Sequence, residues 1–416
     1  MTISRRTVLK GAAATAAALT AGNVPAFAQP SPLRIGFMTI KTGQMASAGN
    51  QLEQALSIYL NDRNNTLAGR PVQLFTVDTA NTPALARSKT QELVESRNVH
   101  CLIGPTSAFE ALAIDDYIRR FQIPTIGYAA AEDMTQRQAN PWFVRPTSTS
   151  AQCSYPMADY AFNELKHRRV ATIGEDNAYG QEQVGGFQLG FEAAGGKIVQ
   201  KLWAPTSVPD YATYISQFKT DVDAIYVALA GSNGFRFLRQ FSEYGLRDKI
   251  PLLGGMTAID ESNLRNMSDE ALGILSTNWY SAELDNPSNR RLVAAMRKEH
   301  NVDPGFYAAA SHTAAAVLEN ALNVVQGRAE DKEALMQALR TATVEDTCRG
   351  PVRFDRYGNV VGNVYIRRVE RKGGRLVNTV IKTYPNVSQF WTYDPETFIK
   401  QPPYSRDFPP SRFLEQ

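Results

Sequence analysis

The chain has 416 residues, 43% of them hydrophobic and 20% charged, with 44 Lys and Arg against 41 Asp and Glu. Three of those basic residues, Arg5, Arg6 and Lys10, and none of the acids lie in residues 1–28, so the remainder is close to neutral. That balance argues against nucleic acid or an anionic membrane surface as the main partner, and the length exceeds one ordinary core, which predicts two domains.

Twin arginines in Ser4-Arg5-Arg6-Thr7-Val8-Leu9-Lys10 precede an Ala-rich run from Gly11 to Ala21, and Ala26-Phe27-Ala28 is a small-x-small cleavage site. Residues 1–28 therefore read as a signal peptide of the twin-arginine route, cleaved near Ala28, which predicts a periplasmic protein. The apolar run is far shorter than the ~20 residues of a spanning helix. From Leu33 onward, LRIGFMTI (33–40), VQLFTVD (72–78), VHCLIG (99–104) and IPTIGY (123–128) predict buried parallel strands with helices between them. NPWFVRPTSTSAQ (140–152) has the Pro and Ser/Thr content of a connection. A second series follows it: RVATIG (169–174), GKIVQKLWA (196–204), VDAIYVAL (222–229) and IPLLGG (250–255). Strands alternating with helices mean βαβ units with right-handed crossovers, hence an α/β protein with two doubly wound parallel-sheet lobes. A helical pattern from Pro287 to Ala342 and a strand pattern from Pro351 to Thr383 are most simply returned one to each lobe. The expected division is 29–145 plus 280–350 for the N-terminal lobe and 146–279 plus 351–385 for the C-terminal lobe. Residues 386–416, rich in Pro and aromatics, are expected to lie over the surface as an extended strap.

Cys101, Cys153 and Cys348 lie far apart with no CxxC, which argues against metal or redox chemistry. In an oxidising compartment one disulfide with a spare thiol is expected; every pairing is open, with Cys153–Cys348 preferred and Cys101 a buried strand thiol. The chain has no GxSxG, no GxxxxGK[ST], no HExxH and no GxGxxG after a strand, and His100, His167, His300 and His312 are scattered. No enzyme, metal or cofactor is expected.

Position suggests binding instead. In open α/β sheets ligands lie beyond the carboxyl ends of strands, where helix N-termini point free N–H groups at the crevice. Thr106 and Ser107 stand at such an end, with amides at Ser107, Ala108 and Phe109 behind them. Ser107 reads either as an ordinary N-cap or as a group that holds a ligand carboxylate. The next strand end, Gly127-Tyr128-Ala129-Ala130-Ala131, adds bare amides beside it and favours the second reading.

These pieces resemble a known family. IGFMTIKTGQMASAGNQLEQAL (35–56), GPTSAFEALA (104–113), IPTIGYAAAEDMT (123–135), VRPTSTSAQ (144–152), ATIGEDNAYGQEQVGGF (171–187), FSEYGLRDKIPLLGG (241–255) and HTAAAVLENAL (312–322) are similar to the periplasmic solute-binding proteins of branched-chain amino acid type ABC importers. The resemblance spans essentially the whole mature chain. It implies a type I periplasmic binding fold, two lobes joined by three hinge crossings that close around a solute, and an inner-membrane permease as partner of a monomer. It also implies that Ser107 with Ala108, and Ala129 with Ala131, hold a ligand carboxylate.

Departures from the family carry as much information. Amino-acid binders place an acid after the LLGG-type strand to pair with the ligand ammonium; here Gly254-Gly255-Met256-Thr257 follows, and an unpaired buried ammonium is costly. Ala48 beside Gly49 leaves room where an aromatic often packs, and Leu229-Ala230-Gly231-Ser232 also lacks one. Tyr128, Trp279, Tyr280 and Tyr307 either line an enlarged apolar pocket or pack the core. The pocket so expected, with hydroxyls and no acid, suits a hydroxybenzoate or cinnamate-type acid, and the tail resembles the subset of the family that binds such acids. Ser148, Thr149 and Ser150 either cap a helix or bond the ligand, Arg145 anchors the hinge in preference to binding ligand, and Asp176-Asn177 with Tyr179-Gly180 form the turn and cap before a helix, with cleft contact as the lesser alternative. The rival reading, a branched-chain amino acid, needs an acid from Asp260, Glu261 or Glu283. A second rival, an exported enzyme, needs a base within reach of Ser107, and a sensory ligand-binding protein is a third.

Overall fold

The apolar run that begins at Leu33 forms the central strand of the first of two sheets. The structure, a computed structural model, describes residues 31–415, so the expected signal segment lies outside the described residues. The first sheet contains β1 (Leu33–Thr39), β2 (Thr66–Leu67), β3 (Arg70–Asp78), β4 (Cys101–Ile103), β5 (Thr125–Ile126) and β6 (Phe143–Val144), in the spatial order β2-β3-β1-β4-β5-β6. All neighbours are parallel except β2 with β3. Helix α1 (Ala46–Asn61) covers one face, and α2 (Pro83–Gln91) with α3 (Ala108–Phe121) the other. The period-2 alternation of a strand explains the split: Ile35 and Phe37 join the cluster with α1, whereas Met38 joins the cluster with α2 and α3.

The second sheet is built on parallel strands β7 (Arg169–Glu175), β8 (Lys197–Ala204), β9 (Ala224–Ala228), β10 (Leu252–Gly254) and β11 (Leu275–Asn278). One face carries α4 (Ser150–Asn163) and α5 (Ala178–Ala193); the other carries α6 (Ala212–Ile215), α7 (Ser232–Glu243) and α8 (Glu261–Leu264). Two glycines of α5 let it lie close on α4: a Cβ at Gly186 would stand 2.5 Å from that of Ala151. The chain then supplies α9 (Pro287–His300), α10 (Phe306–Val324) and α11 (Lys332–Arg340); α10 packs along α1, beside the first sheet.

Beyond α11 the sheet is not parallel, which differs from the doubly wound parallel expectation. β12 (Thr343–Val344), β13 (Val352–Phe354), β14 (Val360–Lys372) and β15 (Arg375–Val387) pair antiparallel in chain order, and β14 pairs antiparallel with β11. The cause is local. Gly373 and Gly374, both with positive φ (56° and 79°), close a two-residue hairpin, and so short a connection can only join antiparallel strands.

Residues 145–149 lead from β6 of the first sheet to α4 on the second, residues 279–286 lead from β11 of the second sheet to α9 beside α1, and buried arginines tie these segments. Arg145 donates from Nε to Ala129 O (2.7 Å) and from Nη1 to Asn359 Oδ1 (2.9 Å), and also bonds Ala131 O. Arg349 donates to Pro146 O (2.7 Å) and Thr147 O and lies 4.6 Å above the Trp279 ring. Arg367 reaches Tyr280 O (2.8 Å) and pairs with Glu261 at 3.4 Å.

The tail, with a single turn α12 (Pro395–Phe398), lies against the molecule along much of its length. Phe390, Phe398 and Tyr404 pack on Ala151 and Tyr155. Arg137 donates to Gln401 O (2.7 Å) and Arg406 to Asp176 Oδ1 (2.7 Å). The cysteines do not pair as expected: Cys101, Cys153 and Cys348 are all free and buried. Each of the two expected partners has other company, Cys153 Sγ lying 3.5 Å from Ser148 Oγ and Cys348 Sγ 3.6 Å from Ala309 O. Burial pushes the thiols up to about 11 and about 12 respectively, so they are neutral.

His312 on α10 lies edge-on to the Tyr59 ring, with centroids 4.9 Å apart, and its Nδ1 has no hydrogen-bond partner. Burial, then the nearby Arg63 and Arg291, depress its pKa from 6.5 to about 3. The unfolded chain therefore binds the extra proton first, and the stability from neutral His312 is present above about 6.5 and lost as pH falls toward 3. His312→Phe, which keeps the edge-on ring contact, is expected to lower the midpoint of acid unfolding by at least about half a pH unit, read by far-UV circular dichroism; an unchanged midpoint would exclude this role.

Candidate ligand-binding site

The loop after β4 turns sharply because Gly104 adopts φ +112° and a Cβ there would meet Met38 at 2.9 Å. That turn sets Thr106 and Ser107 at the start of α3. Ser107 is the N-cap and forms a capping box with Glu110, whose Oε2 accepts from the Ser107 N–H at 3.0 Å. The Ser107 hydroxyl donates to Asn81 Oδ1. Ser107 thus caps the helix and also lines a pocket between the two bodies.

The first-sheet wall of that pocket is Met45, Asn81, Thr106, Ser107, Ala108, Phe109, Tyr128 and Ala130. Opposite it, from the second sheet, stand Glu175, Asn177, Tyr179, Thr206, Ala230, Met256 and Thr257, and Phe306 with Tyr307 at the start of α10 complete the lining. The unfilled space is about 500 Å³ with solvent at the mouth included. That holds a small molecule and no polymer. The bodies touch beside it: Phe306 N donates to Asp260 Oδ2 (2.6 Å), and Ser47 Oγ to Ser262 O (2.9 Å).

Of the expected site residues, the structure brings together Thr106, Ser107, Ala108, Tyr128, Ala230, Met256 and Tyr307. Tyr128 fixes its ring by donating its phenol to Met38 O (2.9 Å). Thr106 lines the pocket, and its buried hydroxyl makes no hydrogen bond of ordinary geometry. Among the described residues, no Lys or Arg lines the space. The first N–H groups of a helix have no intrahelical acceptor, so the donors on this wall are the first amides of α3 and the Thr106 hydroxyl, the Ser107 hydroxyl and N–H being engaged with Asn81 and Glu110.

Four expected site residues lie elsewhere. The carbonyls of Ala129 and Ala131 turn away to Arg145, and Ala130 between them lines the pocket, as side-to-side alternation of an extended chain requires. Ser150 is buried at the start of α4, its hydroxyl donating to Glu182 Oε2 at 2.7 Å. Trp279 is fully buried under Arg349 and against Phe306, whose ring centroid lies 5.0 Å away. It packs the crossings and does not line the pocket.

The expectation of a pocket without an acid is corrected as well. Glu175, the last residue of β7, lines it and is 2% exposed. Its Oε1 accepts from Ala230 N (3.1 Å) and Asn233 Nδ2 (2.8 Å), its Oε2 from Asn177 Nδ2 (3.0 Å). Burial raises its pKa, and these donors act against the rise. The acids named for the amino-acid reading serve other ends: Asp260 caps α8 and binds Phe306 N, Glu261 pairs with Arg367, and Glu283 with Lys372. The strand-end rule that singled out Ser107 also applies to β7 and would have found Glu175. Asn81, Thr206 and Thr257 come from loops with no such local signal.

A family model described as periplasmic binding protein matches residues 32–375. Leu/Ile/Val-binding protein homolog 6 of Brucella abortus (strain 2308) is 24% identical over 360 residues, covering 85% of this chain and 91% of that protein. The solved ABC transporter substrate-binding protein from Sphaerobacter thermophilus is 31% identical with a TM-score of 0.81, over 86% of this chain and 99% of that one. A solute binding protein of an ABC transporter from Rhodopseudomonas palustris BisB5, in complex with 3,4-dihydroxybenzoic acid, is 30% identical with a TM-score of 0.81, over 86% and 98%.

Proposed function

This chain belongs to the periplasmic binding protein family, and from that premise we propose that it captures a small aromatic carboxylate between its lobes and delivers it to an ABC permease. One observation carries the ligand class: a buried pocket that offers hydroxyls, helix-terminal amides and asparagine amides and, among the described residues, no Lys or Arg, faced by the rings of Phe109, Tyr128, Tyr179, Phe306 and Tyr307. Charge-assisted hydrogen bonds of this kind contribute roughly 1.5–3 kcal/mol each, which is enough to hold a carboxylate without a cation. The rings supply flat apolar contact for an aryl group. The relative from Rhodopseudomonas palustris BisB5, with its dihydroxybenzoate, supports the same class.

A second reading has its own support. Glu175 is an acceptor that an amino-acid ammonium would also satisfy, and the curated relative is named for leucine, isoleucine and valine. A thermal-shift panel separates the two. Benzoates, cinnamates, leucine, valine and dicarboxylates are added singly; ligand at a hundred times its Kd stabilises the bound form by about 2.7 kcal/mol. Aromatic acids are expected to raise Tm by several degrees. A strong shift with leucine or valine and none with aromatic acids would assign the pocket to amino acids.

A further inference from the structure

Resting on the reading of the pocket as an aromatic-carboxylate site, we propose that Glu175 is its specificity-determining acceptor, selecting acids that carry a ring hydroxyl at the end away from the carboxylate. The pocket is polar in a definite direction. Its first-sheet wall holds donors, at Thr106 and the first amides of α3, and its second-sheet wall holds a buried acid. A ligand carboxylate therefore belongs at the first wall, and whatever meets the second must tolerate Glu175.

Counting lone pairs narrows the choice. A carboxylate offers about four acceptor sites. Oε1 of Glu175 already takes two N–H groups, and Oε2 takes one, from Asn177. One acceptor position on Oε2 is left, on a side chain that lines the pocket and is 2% exposed. A bare ring would cover that lone pair with carbon and leave it unpaired, and a methoxy group or a second carboxylate would oppose it with another acceptor. A hydroxyl donates to it. Sites built to hydrogen-bond a hydroxyl reject analogues that lack one far more strongly than apolar pockets reject a missing methylene.

Neighbouring contacts hold the acid in place for this role. Asn177 Nδ2, which donates to Oε2, also lies 3.2 Å from Thr206 Oγ1, and its Oδ1 accepts from Gly180 N at 3.0 Å. The side chain is thus fixed by the α5 cap, and Glu175 cannot swing away to avoid a mismatched ligand.

The test is isothermal titration of the exported full-length protein with three probes: 4-hydroxybenzoate, 4-methoxybenzoate and benzoate. 4-Hydroxybenzoate is expected to bind at least tenfold more tightly than either of the others. In Glu175→Gln the hydroxy-to-methoxy preference is expected to fall to less than threefold, because the amide can present a donor in place of the acceptor. If that variant does not fold, the ligand series on the unaltered protein decides alone. Equal affinity for all three probes overturns the role of Glu175 and leaves the carboxylate reading standing. Binding of none of them overturns both. Leucine affinity that depends on Glu175, while hydroxybenzoate affinity does not, overturns the choice of a hydroxyl over an ammonium.

Discussion

Ser107→Asp is expected to abolish carboxylate binding while the protein stays folded. Aspartate is as good an N-cap as serine, and a negative charge at a helix N-terminus is stabilised by the helix dipole. Asn81 Oδ1, which now accepts from the serine hydroxyl, can be exchanged for its own NH2 by a flip of the amide. Folding stability should therefore stay within about 1 kcal/mol of the native value. Binding meets a different balance. The substitution places a carboxylate in the pocket wall where the ligand anion is held. Like charges about 4 Å apart repel by about 4 kcal/mol at an effective dielectric of 20, a loss well beyond 100-fold. Titration with 4-hydroxybenzoate reads the loss, and the melting curve without ligand reads the fold. Affinity within threefold of native would mean that the α3 terminus does not hold the carboxylate.

Arg367→Met should give the largest change in stability. The Arg367 and Glu261 side chains are 0% and 3% exposed, 3.4 Å apart, and the guanidinium also binds Tyr280 O at the second crossing. Removing one member of a buried pair costs about 3–5 kcal/mol, because the other is left charged and unsolvated. Burial already holds the Glu261 carboxyl up at about 7, against the pull of Arg367. The sign follows: a carboxyl raised in the folded state favours folding below its unfolded pKa and loses that contribution as pH climbs through about 7. Urea unfolding of Arg367→Met should therefore show the full loss at pH 8 and a smaller one at pH 5.5. The double variant with Glu261→Gln should recover most of it at pH 8, since no charge is then stranded. A pH-independent loss that the second substitution does not relieve would show that the pair acts through packing alone.

How legible the molecule was depends on the range over which each feature is specified. The strands of both series stand where apolar runs predict them, within a few residues: Leu33–Thr39 against 33–40, and Ala224–Ala228 against 222–229. A strand covered by helices on both faces must be apolar throughout, and that is a local property. The β14–β15 hairpin was equally legible. Gly373-Gly374 between two long strand patterns is a two-residue turn signal, and reading 351–383 as one undivided pattern concealed it. The cysteines were not legible, since composition suggests a disulfide and only the fold gives Cys153 and Cys348 separate neighbours.

For the site, the sequence by itself determined the part of the first-sheet wall at the start of α3. Gly104-Pro105-Thr106-Ser107 at a strand end, followed by a helix with Glu110 at its third position, dictates both the cap and the exposed donors within one turn of chain. Only the tertiary structure decided what faces it. Glu175 comes to the pocket because β7 of the second sheet ends opposite β4 of the first, and Ala130 replaces Ala129 and Ala131 because Arg145 draws their carbonyls away. Trp279 lies outside the pocket, where Arg349, from the segment between β12 and β13, covers its ring. These contacts join residues far apart in the chain. Helical and strand periodicity specify which side of an element is buried, but which element it is buried against depends on the packing of the two sheets and the crossings between them.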